Sequence, residues 1–132
     1  LIMDGAVFIS TNPDPQYPTE EGLIPGAGSI SAALEAASQT KPVVVGKPSA
    51  TIVTEAMRKL GVRPEQTFVV GDNLLTDIGA AKAAGIRSLL VLTGVTTRDN
   101  YARLLRQYGN QPDCMFDTLD DLAAYVSGLK QE

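Results

Sequence analysis

Three charged side chains stand where a short apolar run meets a glycine. Phe68-Val69-Val70 ends at Gly71, and Asp72 follows at once with Asp77 five residues later. Val43-Val44-Val45 ends at Gly46, and Lys47 follows in the same way. A short, apolar, β-branched run reads as a buried strand. Its carboxyl end is where open α/β sheets bind ligands. Asp72 on a loop and Asp77 near the start of the next helix are hard oxygen donors of the kind Mg²⁺ takes. Lys47 offers a positive charge that can pair with an anion. The plainer readings are a turn aspartate, an aspartate favoured at a helix N-terminus and a solvated surface lysine.

Strands and helices must alternate to bring these residues together, and the chain reads that way. Residues 5–10 form a strand. The segment from Thr11 to Gly28 has four prolines and no helical period, so it reads as a long ordered loop. Ser29 to Ser38 carries Ile30, Ala33, Leu34 and Ala37 at helical spacing, with a serine entry cap. The stretch Ser49 to Leu60 is amphipathic, with Ile52, Val53, Ala56, Met57 and Leu60 on one stripe and Gly61 as a stop. Thr76 to Ala84 is a helix of small residues closed by Gly85. Ser88 to Leu92 is a buried strand. Thr97 to Tyr108 is a helix with Tyr101, Leu104, Leu105 and Tyr108 inward and Arg98, Arg103 and Arg106 solvated. Cys114 to Phe116 is a last strand, and Thr118 to Val126 a last helix whose Thr118 and Asp121 form a capping box. All-apolar strands alternating with helices predict an α/β fold with a parallel sheet covered on both faces and right-handed crossovers.

Composition excludes several functions. The 132 residues make one domain's worth, with 44% hydrophobic residues and a net charge of −4. An acidic chain lacks the basic face that a nucleic-acid backbone requires, so no nucleic-acid partner is expected. No apolar run approaches the roughly 20 residues of a membrane span. Cys114 is the single cysteine, which rules out an internal disulfide and fits a cytoplasmic setting. It reads as a small buried residue rather than a nucleophile. With no histidine, the chain has no His general base, Ser-His-Asp triad or His-ligated zinc. P-G-A-G-S at residues 25–29 and G-K-P at residues 46–48 match neither a dinucleotide fingerprint nor a Walker loop.

The segment G-D-N-L-L-T-D-I-G-A-A-K-A-A-G-I, residues 71–86, resembles the fourth motif of the haloacid-dehalogenase-like phosphatases. V-V-V-G-K-P-S is similar to their third motif, and F-I-S-T-N-P-D with L-I-P-G-A-G-S-I resembles the branch with 4-nitrophenylphosphatase-like and sugar-phosphatase-like members. The resemblance implies a Rossmann-like three-layer core, with residues 1–22 ending a cap domain and residues 23–132 forming the C-terminal part of the catalytic core. It also implies a Mg²⁺-dependent phosphomonoesterase acting through an aspartyl-phosphate on a small phosphorylated metabolite, such as a sugar or nucleotide phosphate. Asp72 would bind the metal. Asp77 would hold a metal water or orient Lys47, Asn73 would donate a hydrogen bond beside the metal, and Lys47 would pair with the phosphate. Asn12 and Asp14 would face the substrate, unless Asn-Pro-Asp-Pro is simply turn chemistry. The parent protein would pair as a homodimer through its cap.

The family's D-x-D-G motif has only Asp4-Gly5 here, with Ile2 where the nucleophile would stand. The second motif has no counterpart, and Thr11 is not assigned to it. The expectation is therefore a C-terminal portion of a longer protein, lacking the core's first strand and inactive alone. Two other classes compete. A phosphoacceptor receiver domain needs an acidic pair near its first strand and an Asp ending its third, and this chain has neither in that order. A non-catalytic α/β binding module would keep the fold without the nucleophile.

Overall fold

A computed structural model describes residues 1–129; the last three residues of the expected core segment lie outside the described residues. The chain forms two compact units, one spanning Leu1–Gly46 and one from Lys47 onward. A division at 22/23 would cut a β-hairpin, because Thr19 pairs with Gly22.

In the first unit, β1 (Ile9–Ser10) pairs in parallel with β4 (Val43–Val44). The expected strand over residues 5–10 is thus confined to its last two residues, and Ile2–Asp4 before it is a 3₁₀ turn. The Thr11–Gly28 segment is not a structureless loop. It holds an antiparallel hairpin, β2 (Gln16–Thr19) and β3 (Gly22–Pro25). Prolines hid it: Pro18 and Pro25 cannot donate to a ladder, but an isolated two-stranded ribbon has only edges, where proline is tolerated. Gly22 supplies the positive φ of 128° that lets the chain reverse. Helix α1 (Ala27–Ser38) starts two residues before the expected point. Ser29 does not cap it; its hydroxyl donates to the Pro15 carbonyl at 2.5 Å.

The second unit is a parallel three-stranded sheet in the order β5 (Phe68–Gly71), β6 (Arg87–Val91), β7 (Cys114–Phe116). The parallel strands therefore lie in two sheets, β1-β4 and β5-β6-β7. Alternation along β6 sends successive residues to opposite faces. Leu90 packs with Leu74, Ile78, Leu92 and Leu104, the last from α4 (Tyr101–Tyr108). Leu89 and Val91 pack with Leu122 from α5 (Leu119–Gly128). The sheet is thus covered on both faces, as the apolar strands predicted. Helix α2 (Thr51–Leu60) inserts Met57 against Ala81 of α3 (Gly79–Ala84) and Ile86. Cys114 is half-buried rather than fully buried, against the α5 layer beside Tyr125.

Other helix starts also differ from expectation: α2 begins at Thr51 rather than Ser49. The helix expected from Thr97 begins at Tyr101, because the Asn100 side chain accepts from the Thr97 N–H and donates to the Val95 carbonyl, closing a turn instead. The helix expected from Thr76 begins earlier, as a π-helical turn over Leu74–Ile78 that leads into α3. Arg98 is solvated as expected, and on that surface its Nε and Nη2 donate to the two oxygens of Asp117. Among the described residues no helix is long and apolar enough to cross a membrane.

Candidate active site

The chain leaves β5 at Gly71 and enters the π-helical turn within three residues. Asn73 makes that change possible. Its Oδ1 accepts from the N–H groups of Leu75 (2.9 Å) and Thr76 (3.3 Å), satisfying donors that a helix start leaves open. Its carbonyl accepts from both Asp77 and Ile78, which widens the turn. Two other side chains hold the turn in place. The buried Thr96 Oγ1 accepts from the Leu74 N–H at 3.3 Å, and Asn110 Nδ2 donates to the Leu74 carbonyl at 2.9 Å. Leu74 and Ile78 anchor it in the core with no exposed surface.

Asp77 turns inward from this element and is 5% exposed. Lys47 Nζ donates to its Oδ1 at 2.5 Å, and the Asn73 N–H donates to its Oδ2 at 3.1 Å. A buried carboxylate needs such partners. Lys47 itself keeps 48% of its side chain exposed, so the ammonium is held at one end and open at the other. The pair also explains Gly71: an added Cβ there would lie 2.3 Å from Asp77 Cβ, Cγ and Oδ2.

Asp72 is gripped from the next loop. Because β5 and β6 are parallel, the segments that follow them leave the same edge of the sheet. The Val95 N–H donates to Asp72 Oδ2 at 2.6 Å, and the Thr96 N–H donates to the Asp72 carbonyl at 2.9 Å. Among the described residues, Asp72 Oδ1 takes no hydrogen bond, and no group of three or more His, Cys, Asp or Glu side chains is placed to hold a metal. Asp72 fits Mg²⁺ as a single hard oxygen donor, since that ion is commonly held by one or two carboxylates plus waters and substrate phosphate.

The structure thus brings together Lys47, Asp77 and the Asn73 backbone, with Asp72 adjacent in the chain. The Asn73 carboxamide oxygen caps the turn, leaving only its Nδ2 for the hydrogen bond expected of it. Asn12 and Asp14 belong to the other unit and show turn chemistry: Asn12 Oδ1 accepts from the Asp14 N–H at 3.1 Å. Asp4 is exposed in the 3₁₀ turn. Thr96, Asn110 and the Val95 N–H were missed by sequence reasoning. A signal for Val95 and Thr96 was present in L-T-G-V-T, the short loop just after the parallel strand β6; Asn110 left none.

Parallel strands with covering helices and an acid–lysine cluster after the strand ends define an α/β protein with a charged site at the carboxyl end of its sheet. The HAD-hydrolase-like family model matches residues 44–122. The 5'-nucleotidase YutF of Bacillus subtilis is 42% identical over 125 residues, covering 95% of this chain and 47% of the relative. The ribonucleotide monophosphatase NagD of Escherichia coli is 43% identical over 100 residues, covering 76% and 39%. Among solved structures, the p-nitrophenyl phosphatase from Archaeoglobus fulgidus superimposes with a TM-score of 0.88 at 43% identity, covering 94% of this chain and 48% of that one. The chain belongs to the haloacid-dehalogenase-like hydrolases, in the group of NagD and the p-nitrophenylphosphatases. It spans about half the length of these relatives or less.

Proposed function

We propose that this chain is the C-terminal portion of a Mg²⁺-dependent phosphomonoesterase that works through an aspartyl-phosphate on a small phosphorylated metabolite. A nucleotide or sugar phosphate is the favoured substrate class. Relatives named for nucleotide hydrolysis support that choice. The observation that carries the reading is the Lys47–Asp77 pair beside Asp72, within the span matched by the family model.

Lys47, held by Asp77 and open on its other side, is the group that meets the phosphoryl oxygens and stabilises the charge developing on them. Asp77 orients Lys47, and Asp72 presents Oδ1 to the metal. A Mg²⁺ ion held there would neutralise phosphate charge. The nucleophilic aspartate and the acid/base aspartate come from outside this chain, which is therefore inactive alone. The compact unit from Lys47 onward is the catalytic-core portion, and it nearly coincides with the family match. The unit ending at Gly46, including the expected segment 1–22, is the cap-side portion. The protein is cytoplasmic and pairs as a homodimer.

The test is p-nitrophenyl phosphate hydrolysis with and without Mg²⁺, comparing the 132-residue chain with the protein from the complete reading frame. Turnover is expected only in the longer form. There, Asp72→Asn should abolish Mg²⁺-dependent turnover, and Lys47→Ala should lower kcat by about 10²–10³. Wild-type-like turnover of Asp72→Asn at saturating Mg²⁺ would refute the metal role. Turnover by neither form, with nucleotide and sugar phosphates also tried, would favour a non-catalytic α/β binding module.

A further inference from the structure

Two kinds of glycine stand out in this chain. Gly5, Gly22, Gly61, Gly85 and Gly109 have positive φ and open space where a Cβ would point. Their backbone conformation explains them. Gly94 is of the other kind. Its φ is not in the left-handed region, so its backbone would accept a side chain. What it lacks is room: an added Cβ would lie 1.9 Å from Asp72 Oδ2, 2.5 Å from Cγ and 2.8 Å from Cβ. These are all far inside the 3.5–4.0 Å of an ordinary non-bonded contact.

Gly94 is also the first residue of a clamp. Val95 donates its N–H to the same Oδ2 at 2.6 Å, and Thr96 donates its N–H to the Asp72 carbonyl at 2.9 Å. Thr96 is fully buried, and its Oγ1 accepts from Leu74, so the clamp is fastened to the core rather than floating on the surface. The carboxylate of Asp72 therefore rests on the bare Cα of Gly94. One oxygen is held by a backbone donor, and the other is left for a ligand.

We infer that Gly94 is a positioning residue: with the Val95 N–H it seats the Asp72 carboxylate and makes Asp72 a one-oxygen ligand for a divalent cation. The ligand part of this inference rests on the phosphatase reading; the seat does not. Any side chain at position 94 pushes Oδ2 off the Val95 N–H, and the carboxylate loses its fixed direction. Backbone donors that orient metal ligands in this way typically carry a 10–100-fold effect on metal affinity.

The experiment has two arms, both on the protein from the complete reading frame. The first is amide hydrogen exchange by NMR without metal. Val95 is exposed, so its N–H exchanges slowly only if it is bonded. Asp72→Ala and Gly94→Ala should each cut Val95 protection at least about tenfold, while amides in β6 stay protected. Unchanged Val95 protection in either variant overturns the seat. The second arm measures Mn²⁺ binding by electron paramagnetic resonance and the Mg²⁺ half-saturation of turnover. Gly94→Ala should weaken both about 10–100-fold, with KM for the ester unchanged at saturating metal. Metal affinity within twofold of wild type would overturn the positioning role. A wild-type protein with Val95 protected but no Asp72-dependent Mn²⁺ binding would overturn the ligand part and the phosphatase reading together, and leave the seat standing.

Discussion

Gly71→Ala tests the packing logic of the site without any catalytic assay. An added methyl would meet Asp77 Cβ, Cγ and Oδ2, each at 2.3 Å. Relief needs a shift of more than about 1 Å, because such contacts settle near 3.5–4.0 Å. Asp77 has little freedom to retreat, since Leu74 and Ile78 on the same turn are fully buried. If the carboxylate stays, the cost is that of overpacking, about 1–3 kcal/mol. If it rotates away, it loses the Asn73 N–H bond, worth about 1.5–3 kcal/mol to a charged acceptor. It also loses the Lys47 pair, worth about 0–1 kcal/mol because that lysine is half exposed. Both routes converge on a destabilisation of roughly 2–3 kcal/mol, or a little more by the second. Urea denaturation should show it as a lower midpoint with an unchanged slope. Gly128→Ala is the matched control. Gly128 lies in α5 with nothing near its missing Cβ and no positive φ. The same substitution there should stabilise by about 0.4–1 kcal/mol. A loss under about 0.5 kcal/mol at Gly71, within ordinary surface-mutation scatter, would refute the claim that Asp77 occupies the space of the missing side chain.

Two further predictions concern stability. Ser88 is fully buried at the start of β6; its hydroxyl donates to Asp113 Oδ2 at 2.7 Å and accepts from the Asp113 N–H at 3.2 Å. Ser88→Ala should cost about 1–3 kcal/mol at neutral pH, measured by denaturation. That hydroxyl is also the main reason the Asp113 carboxyl titrates below the usual aspartate range, with the Ser88 N–H second and burial opposing. A depressed carboxyl pKa adds stability above the unfolded value of about 3.9, and the gain fades as pH falls through the lower folded value. Ser88→Ala and Asp113→Asn should therefore both flatten the loss of stability below about pH 3.9. A slope equal to wild type would sink that assignment. At the other end of the unit, Thr118 caps α5: its Oγ1 accepts from the Asp121 N–H at 3.1 Å and donates to Asp121 Oδ2. Thr118→Ala should cost about 0.5–2 kcal/mol, and Thr118→Ser should restore most of it.

Elements with a periodic apolar pattern were legible. The stripe of Ile52, Val53, Ala56, Met57 and Leu60 became α2, the Ser88–Leu92 run became β6, and Thr118 with Asp121 became a capping box. The hairpin at Gln16–Pro25 was not, because every residue in it is exposed and no alternation marks a buried face. Lys47, Asp72 and Asp77 were legible as a candidate group because each charge follows a strand-ending glycine or opens the next helix. The same glycine hid the reason for the site's shape. Gly71 reads in sequence only as the end of an apolar run; its φ is not in the left-handed region, and the space beside it is filled by Asp77. Gly94 stands just past the Ser88–Leu92 run with nothing in the sequence to single it out, yet Asp72 occupies the space beside it. A glycine kept for its φ leaves a trace in local sequence, since turns have preferred neighbours. A glycine kept for what lies against it leaves none, because its partner is fixed only once β5 and β6 lie side by side. Asp72 is 22 residues from Gly94 along the chain, yet it lies on the bare Cα of that glycine. The two carboxylates are readable in the linear chain; the two surfaces against which they are held exist only in the folded one.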